Sequence, residues 1–266
     1  MIFGFIGTGN MGGALAKAAA KALAPETILL SNKTAAKAEA LAASLGCKAV
    51  SVEETAQKAQ LLFLGVKPHM MGDLLHTISP ILAARQDPFT LVSMAAGLGM
   101  GDIQRLAGAD YPLIRIMPNT PVSVGQGVIL YDHTENVPAE ALEAFLSGMR
   151  FAGLLDPLPE KLIDAGSAVA GCGPAFAALF MEALADGGVA CGLPRAKAME
   201  YAAKTLLGTA ALALESGQHP GALKDAVCSP GGSTIAGVRA LEQGAFRAAA
   251  MNAVEAAYKR TKELGK

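Results

Sequence analysis

The chain opens Met-Ile-Phe-Gly-Phe-Ile and breaks directly into Gly7-Thr8-Gly9-Asn10-Met11-Gly12. This apolar run, ending in Gly-x-Gly-x-x-Gly and continuing as an alanine-rich helical pattern, constrains the fold more than any other stretch. A strand that feeds a helix through so tight a turn is the first half of a strand–helix–strand unit, which builds a parallel sheet. Gly7 permits the turn, Gly9 lets a pyrophosphate approach the backbone, and Gly12 permits close strand–helix packing, with the anion on the helix N-terminus. The blander reading is a glycine-rich turn with no ligand. With strand and helix both in place, dinucleotide binding is favoured, through Gly7, Thr8, Gly9, Asn10, Met11 and Gly12.

Through about residue 156 the same alternation continues. Apolar strand patterns at Thr27–Ser31, Leu61–Val66 and Thr90–Ser93 are interleaved with helical patterns at Met11–Leu23, Ala35–Leu45 and Met70–Leu82. Right-handed crossovers then give a parallel sheet covered on both faces. Further strands are expected at Leu113–Met117, Val128–Tyr131 and Gly153–Leu155, with a helix from about Pro138. After Asp156-Pro157-Leu158-Pro159 no strand pattern recurs, and alanine-rich helical segments run to the end. The predicted architecture is α/β: a doubly wound Rossmann-type domain over residues 1–157 and an all-helical domain over 158–266, sizes usual for domains.

The end of the second strand decides which dinucleotide. An NAD-binding protein usually places Asp or Glu there to accept from the ribose hydroxyls. Here the strand runs out as Leu30-Ser31-Asn32-Lys33-Thr34, and Glu26 lies at its other end. Ser31, Asn32 and Lys33 can instead receive a 2′-phosphate, so NADPH is expected, with NADH a weaker substitute. The alternative is that Lys33 is simply a solvated residue before a helix. Two later loops fall where strands of this sheet end, Val66-Lys67-Pro68-His69 and Ser93–Gly97; Val66, Lys67, Pro68 and Ala95 are expected cofactor contacts. Lys67 and His69 read as packing or phosphate contacts more readily than as general acids.

Composition excludes several classes of partner. Lys and Arg number 22 against 23 Asp and Glu, a formal net charge of −1, so there is no positive field to gather nucleic acid or an anionic membrane. The four cysteines (Cys47, Cys172, Cys191, Cys228) form no C-x-x-C pair, and no His, Cys and carboxylate spacing suggests a metal. Met1 precedes a strand with no basic leader region, and the apolar stretch from Pro174 to Leu193 carries Glu182 and Asp186. These features point to a cytoplasmic chain with a small-molecule partner and no membrane.

The sequence resembles the pyrroline-5-carboxylate reductase family from end to end. The resemblance is carried by GFIGTGNMG at Gly4–Gly12, VKPH at Val66–His69, SMAAG at Ser93–Gly97, RIMPNTP at Arg115–Pro121 and GCGPAF at Gly171–Phe176. Above all it is carried by HPGALKDAVCSPGGSTIAG at His219–Gly237. It implies an NADPH-dependent reduction of the cyclic imine 1-pyrroline-5-carboxylate to L-proline. It also implies that Ser229, Gly231, Gly232, Ser233 and Thr234 hold the substrate, the Thr234 hydroxyl hydrogen-bonding the ring nitrogen as the catalytic candidate. The family's helical domains interlock as a dimer, with the SPGG turn of one chain facing the dinucleotide domain of the other, and some members assemble five dimers into a decamer.

The residues can also be asked what reaction they could run. A hydroxyacid dehydrogenase of similar layout needs an ionisable acid on the helix after the Gly171-x-Gly173 pair, and the position is Ala177; Pro174–Val189 contains no Lys or His. A ketone's alkoxide must be protonated as it forms, whereas an imine nitrogen can be protonated before hydride arrives. Ser229-Pro-Gly-Gly-Ser-Thr234 offers unshielded backbone N–H groups at a helix start, suited to a carboxylate; an ordinary Ser/Thr cap would leave its paired glycines unexplained. Arg115 reads as a loop anchor as readily as a ligand contact, Asn119 and Thr120 as shaping a cleft, Cys172 and Cys228 as small packing residues. Two rivals remain at this point: another imine or keto-acid reductase, and an NADP(H)-sensing protein without activity.

Overall fold

The computed structural model describes residues 1–264. It divides into two compact units, Met1–Cys172 together with the chain from Ala257 onward, and Gly173–Ala256.

The first unit is built on eight strands: β1 (Phe3–Ile6), β2 (Ile28–Ser31), β3 (Lys48–Ala49), β4 (Leu61–Leu64), β5 (Thr90–Ser93), β6 (Leu113–Pro118), β7 (Gly127–His133) and β8 (Gly153–Pro157). Their order across the sheet is β3-β2-β1-β4-β5-β6-β7-β8. Chain order reverses between β1 and β4, which are paired in parallel from Phe3 opposite Leu61 to Ile6 opposite Leu64. Every residue of β1, β2, β4 and β5 is buried, as expected of strands covered on both faces. On one face, α1 (Asn10–Ala20), α2 (Ala35–Leu45) and α6 (Ala139–Met149) pack over Phe3, Phe5, Phe63 and Ile116. Phe5 and Phe63 stack at 4.4 Å between ring centroids and Phe145 of α6 closes the cluster. On the other face, α3 (Val52–Lys58), α4 (Met71–Ala84) and α5 (Met100–Ala107) cover Ile6, Leu62, Leu64 and Leu91.

The doubly wound α/β expectation is met, with three differences. First, β6 and β7 are antiparallel. The segment between them is a 3₁₀ turn, Thr120–Val124, too short to carry the chain back for parallel pairing. Second, β3, α3 and α5 are additional; at two, seven and eight residues they are too short for a hydrophobic period to register. Third, the boundary expected at 157/158 follows the change of sequence pattern, whereas packing extends the first unit to Cys172. The cause is α7 (Glu160–Ala170), drawn onto the sheet by Arg115 of β6: its guanidinium binds Glu160 and Asp164, and Ile163 packs on Met117 and Leu130.

The second unit is all helical, with α8 (Gly173–Ala190), α9 (Arg195–Ser216), α10 (Pro220–Ala226), α11 (Ser233–Gln243) and the greater part of α12 (Phe246–Leu264). Its own core is slight: Ala185, Ala198 and Ala202 are buried between α8 and α9, with Met181 and Val189 against them. Leu179 is 68% exposed and Leu214 86%, and Leu207, Leu212, Phe246 and Met251 are exposed as well. Apolar surface of this extent marks a face that another protein surface or a membrane covers. Within Glu160–Ala190 an 18-residue window reaches a mean hydropathy of 1.6, long and apolar enough to span a bilayer, although the stretch comprises two helices, α7 and α8.

Candidate cofactor and substrate sites

The three motif glycines are required for three different reasons. Gly7 has φ +98°, and a Cβ there would lie 2.5 Å from the Gly65 carbonyl oxygen. A Cβ on Gly12 would lie 2.0 Å from the Gly7 carbonyl oxygen, so side-chain absence at Gly12 is what lets α1 start so close to β1. A Cβ on Gly9 meets nothing within 4 Å. Gly9 is therefore dispensable for packing, and its bare backbone faces open space at the start of α1. It is the N-cap of that helix, with no side-chain cap and no acidic residue in the first turn, which leaves an uncompensated helix N-terminus.

The loop fits a pyrophosphate on one further observation. Thr8 is buried and its Oγ1 has no hydrogen-bond partner among the described residues, the state of a hydroxyl whose acceptor is a ligand. The base of the loop is tied to its neighbours: Gly7 N–H donates to the Ser31 carbonyl at 2.8 Å and Gly65 N–H to the Ile6 carbonyl at 2.7 Å. Gly65 is a further residue of this site, one that the strand pattern does not single out. Its sequence signal is a small residue directly after β4, and a side chain there would meet the Gly7 carbonyl oxygen at 2.6 Å.

Two clefts flank the loop. One, of about 570 Å³, is lined by Gly7, Gly9, Asn32, Lys33, Val66 and Lys67. The other, of about 630 Å³, is lined by Thr8, Gly9, Asn10, Lys17 and Thr120, and Lys37 borders both. The structure thus gathers the loop and the ends of β2 and β4, as expected of a ligand at the reversal of strand order. Within that group Ser31 stands apart. It is buried and its hydroxyl donates to the Phe5 carbonyl at 3.3 Å, so the polar side chains facing the cleft from this segment are those of Asn32 and Lys33. Met11 packs its side chain against the core, Pro68 opens a 3₁₀ turn and Ala95 is buried, so these three offer backbone or apolar contact. The cleft is not free of carboxylates: Glu53 of α3 and Asp73 of α4 also line it, reaching it from helices rather than from the strand end.

Arg115 and Asn119 are structural. Arg115 holds α7 as described; Asn119 Oδ1 accepts from the Val128 N–H at 2.9 Å and its Nδ2 donates to the Ala170 carbonyl at 3.0 Å. Thr120 is exposed at the cleft wall. Among the described residues no group of three or more His, Cys, Asp or Glu is placed to hold a metal.

In the second unit, Ser229–Thr234 forms a turn into α11. Gly231 has φ +67°, Gly232 is the N-cap of α11, and Gly232 N–H donates to the Ser229 carbonyl at 3.0 Å. Ser233, Thr234 and Ile235 are the first helical residues, so their N–H groups have no acceptor within the helix, and a glycine cap supplies none. Ser229, Ser233 and Thr234 are exposed in the single chain. The nearby Lys224 is pushed up from its ordinary pKa by the hydrogen bond and charge of Asp225, which makes it a firmly held cation and a poorer proton donor. The long apolar α8 contains neither Lys nor His, as expected.

Comparison with known proteins gives a consistent result. A family described as pyrroline-5-carboxylate reductase dimerisation matches residues 160–264, and one described as NADP oxidoreductase coenzyme F420-dependent matches residues 2–97. The chain is 40% identical to a pyrroline-5-carboxylate reductase of Pisum sativum, over 98% of this chain and 95% of the other. It is 38% identical to that of Escherichia coli K12, over 99% and 98%. A crystal structure of Plasmodium falciparum pyrroline carboxylate reductase with NADP bound superposes with a TM-score of 0.90 at 32% identity, covering 100% of this chain and 98% of that one.

Proposed function

The chain belongs to the pyrroline-5-carboxylate reductase family, and we propose from that premise which of its residues perform each part of the reaction. It is an oxidoreductase that reduces 1-pyrroline-5-carboxylate to L-proline with NADPH. When bound, NADPH supplies the hydride that the imine carbon receives. The remaining work falls to the protein: holding two ligands and orienting them.

The Gly7–Gly12 loop and the N-terminus of α1 hold the pyrophosphate, with the Thr8 hydroxyl as a side-chain donor. In this topology β1, β2 and β3 carry the adenosine half of a dinucleotide, and β4 onward the nicotinamide half. Asn32 and Lys33, at the end of β2, are therefore placed for the 2′-phosphate, and Lys37 borders the same cleft. The loop Met94–Gly99 after β5 borders the nicotinamide. Lys33→Ala should lower kcat/KM several-fold with NADPH and leave it nearly unchanged with NADH. An unaltered ratio of the two specificity constants would remove Lys33 from the phosphate site.

The Ser229–Thr234 turn carries the substrate assignment, and its open, glycine-capped helix start is the observation that supports it. The N–H groups of Ser233 and Thr234 bind the carboxylate, and the Thr234 hydroxyl hydrogen-bonds the ring nitrogen. An imine suits a site of this kind, because protonation can precede hydride transfer and no ionisable donor is required of α8. Thr234→Ala should lower kcat/KM for the imine by roughly 5- to 150-fold, on the order of 1–3 kcal/mol for an unmade contact, with NADPH affinity intact. Near-normal imine reduction would take Thr234 out of the site.

The chain is a homo-oligomer, its dimerisation region being residues 160–264. The assembly we propose is at least a dimer that covers the exposed apolar residues of α8, α9 and α12, and a decamer would be built from five such dimers. The proposed location is the cytoplasm, with the apolar Glu160–Ala190 stretch serving subunit contact rather than a bilayer.

A further inference from the structure

The loop after β5 is fastened by a side chain from far along the chain. The Met100 N–H, at the first helical position of α5, donates to Glu160 Oε1 at 2.6 Å across sixty residues of sequence. The same oxygen accepts from Arg115 Nη1 at 3.2 Å, while Arg115 Nη2 donates to Asp164 Oδ1 at 2.8 Å. The Arg115 side chain is only 5% exposed, while its partners Glu160 and Asp164 are 33% and 24% exposed, so a buried guanidinium holds two half-buried carboxylates by charge-assisted bonds. Glu160 is held from a further side, its own N–H donating to Asp132 Oδ2 of β7 at 2.6 Å.

Capping α5 does not require this arrangement. Asp102 already accepts from the Gly99 N–H at 3.0 Å, a local bond that ties the helix start to itself. What Glu160 adds is a fixed point outside the loop. Through it the end of Met94–Gly99 is anchored to a carboxylate whose position is set by β6 and β7 rather than by the loop's own conformation.

We infer that Glu160, oriented by Arg115, is a positioning residue for hydride transfer, holding the Met94–Gly99 backbone at the height the nicotinamide requires. The inference rests on the reading above that this loop borders the nicotinamide. Misplacement by about 1 Å, even from a residue remote from the reacting atoms, can cost ~10²-fold in rate. The effect should therefore fall on turnover and spare the adenosine end of the cofactor site, which lies at β2.

The test uses the full chain and two variants that cut the same bond from opposite sides. Glu160→Ala removes the acceptor. Met100→Pro removes the donor at a helix N1 position, where proline is pre-organised, and the preceding Gly99, with ψ 170°, has the extended backbone that a following proline prefers. Met100→Ala, which loses the side chain but keeps the N–H, is its comparator. The expected result is a fall in kcat of about tenfold or more in Glu160→Ala, and a similar fall in Met100→Pro relative to Met100→Ala. The Kd for 2′,5′-ADP, a probe that fills only the adenosine end, should stay within about twofold of wild type, and Glu160→Gln, which retains an acceptor oxygen, should recover most of kcat. Unchanged kcat in both tether variants, a Gln variant as impaired as Ala, or a parallel loss of 2′,5′-ADP binding would each overturn the inference. Absence of wild-type turnover with the imine would instead overturn the functional reading, and this inference with it.

Discussion

Gly9→Asp is expected to abolish NADPH binding, raising Kd by about two orders of magnitude or more, while leaving thermal unfolding within a few degrees of wild type. Gly9 has φ −71° and ψ −164°, an extended backbone open to any residue, and a side chain there points into open space. Aspartate is among the favoured N-cap residues, so the helix start is not weakened. Its carboxylate, however, takes the anion's place on the N-terminus of α1 and repels the pyrophosphate that should bind there. Fluorescence titration with NADPH alongside calorimetric unfolding separates the two effects. Normal NADPH affinity in this variant would mean the glycine loop is not the phosphate site.

Gly12→Ala should fail for the opposite reason. The added methyl would lie 2.0 Å from the Gly7 carbonyl oxygen, and because this neighbour is backbone no rotamer change relieves it. Either α1 moves away from β1 or the Gly7 turn deforms, and Gly7 is already held against Gly65. Overpacking of this kind costs about 1–3 kcal/mol, and a backbone obstacle places it at the upper end. For a chain of this size that corresponds to a fall in Tm of roughly 5–10 °C. Calorimetry checks it, and an unchanged Tm would contradict the packing described for the loop. Two glycines three residues apart in one motif are thus predicted to have separable roles, Gly12 in the fold and Gly9 in the proposed ligand contact.

The different steric demands on these glycines were legible from the sequence, because a strand, a turn and a helix within a dozen residues leave few geometries for three glycines. The missing acid at the end of β2 was legible for the same reason, strand ends being local. What was not legible depended on distance or on brevity. Gly65 matters only because β4 lies beside β1, and Glu53 and Asp73 reach the cleft from helices whose places the strand pattern does not specify. The α3 and α5 helices are shorter than the window in which an apolar period shows, although Ser51, whose side chain accepts from the Glu54 N–H, marks the first of them. The allegiance of α7 was hidden altogether. It rests on Arg115 forty-five residues away from Glu160, an ion pair that no local pattern announces. In the second unit the helices were legible but not which of their apolar residues stay uncovered, since composition records how many apolar residues a chain has and not which of them it can bury.

The most direct test of the whole account is a turnover measurement with the purified chain. Given NADPH and 1-pyrroline-5-carboxylate, it should oxidise NADPH steadily and release one L-proline for each cofactor consumed, while a 2-oxo acid of similar size leaves NADPH untouched. NADPH that binds but is not consumed with the imine, or a ketone reduced as readily as the imine, would contradict it.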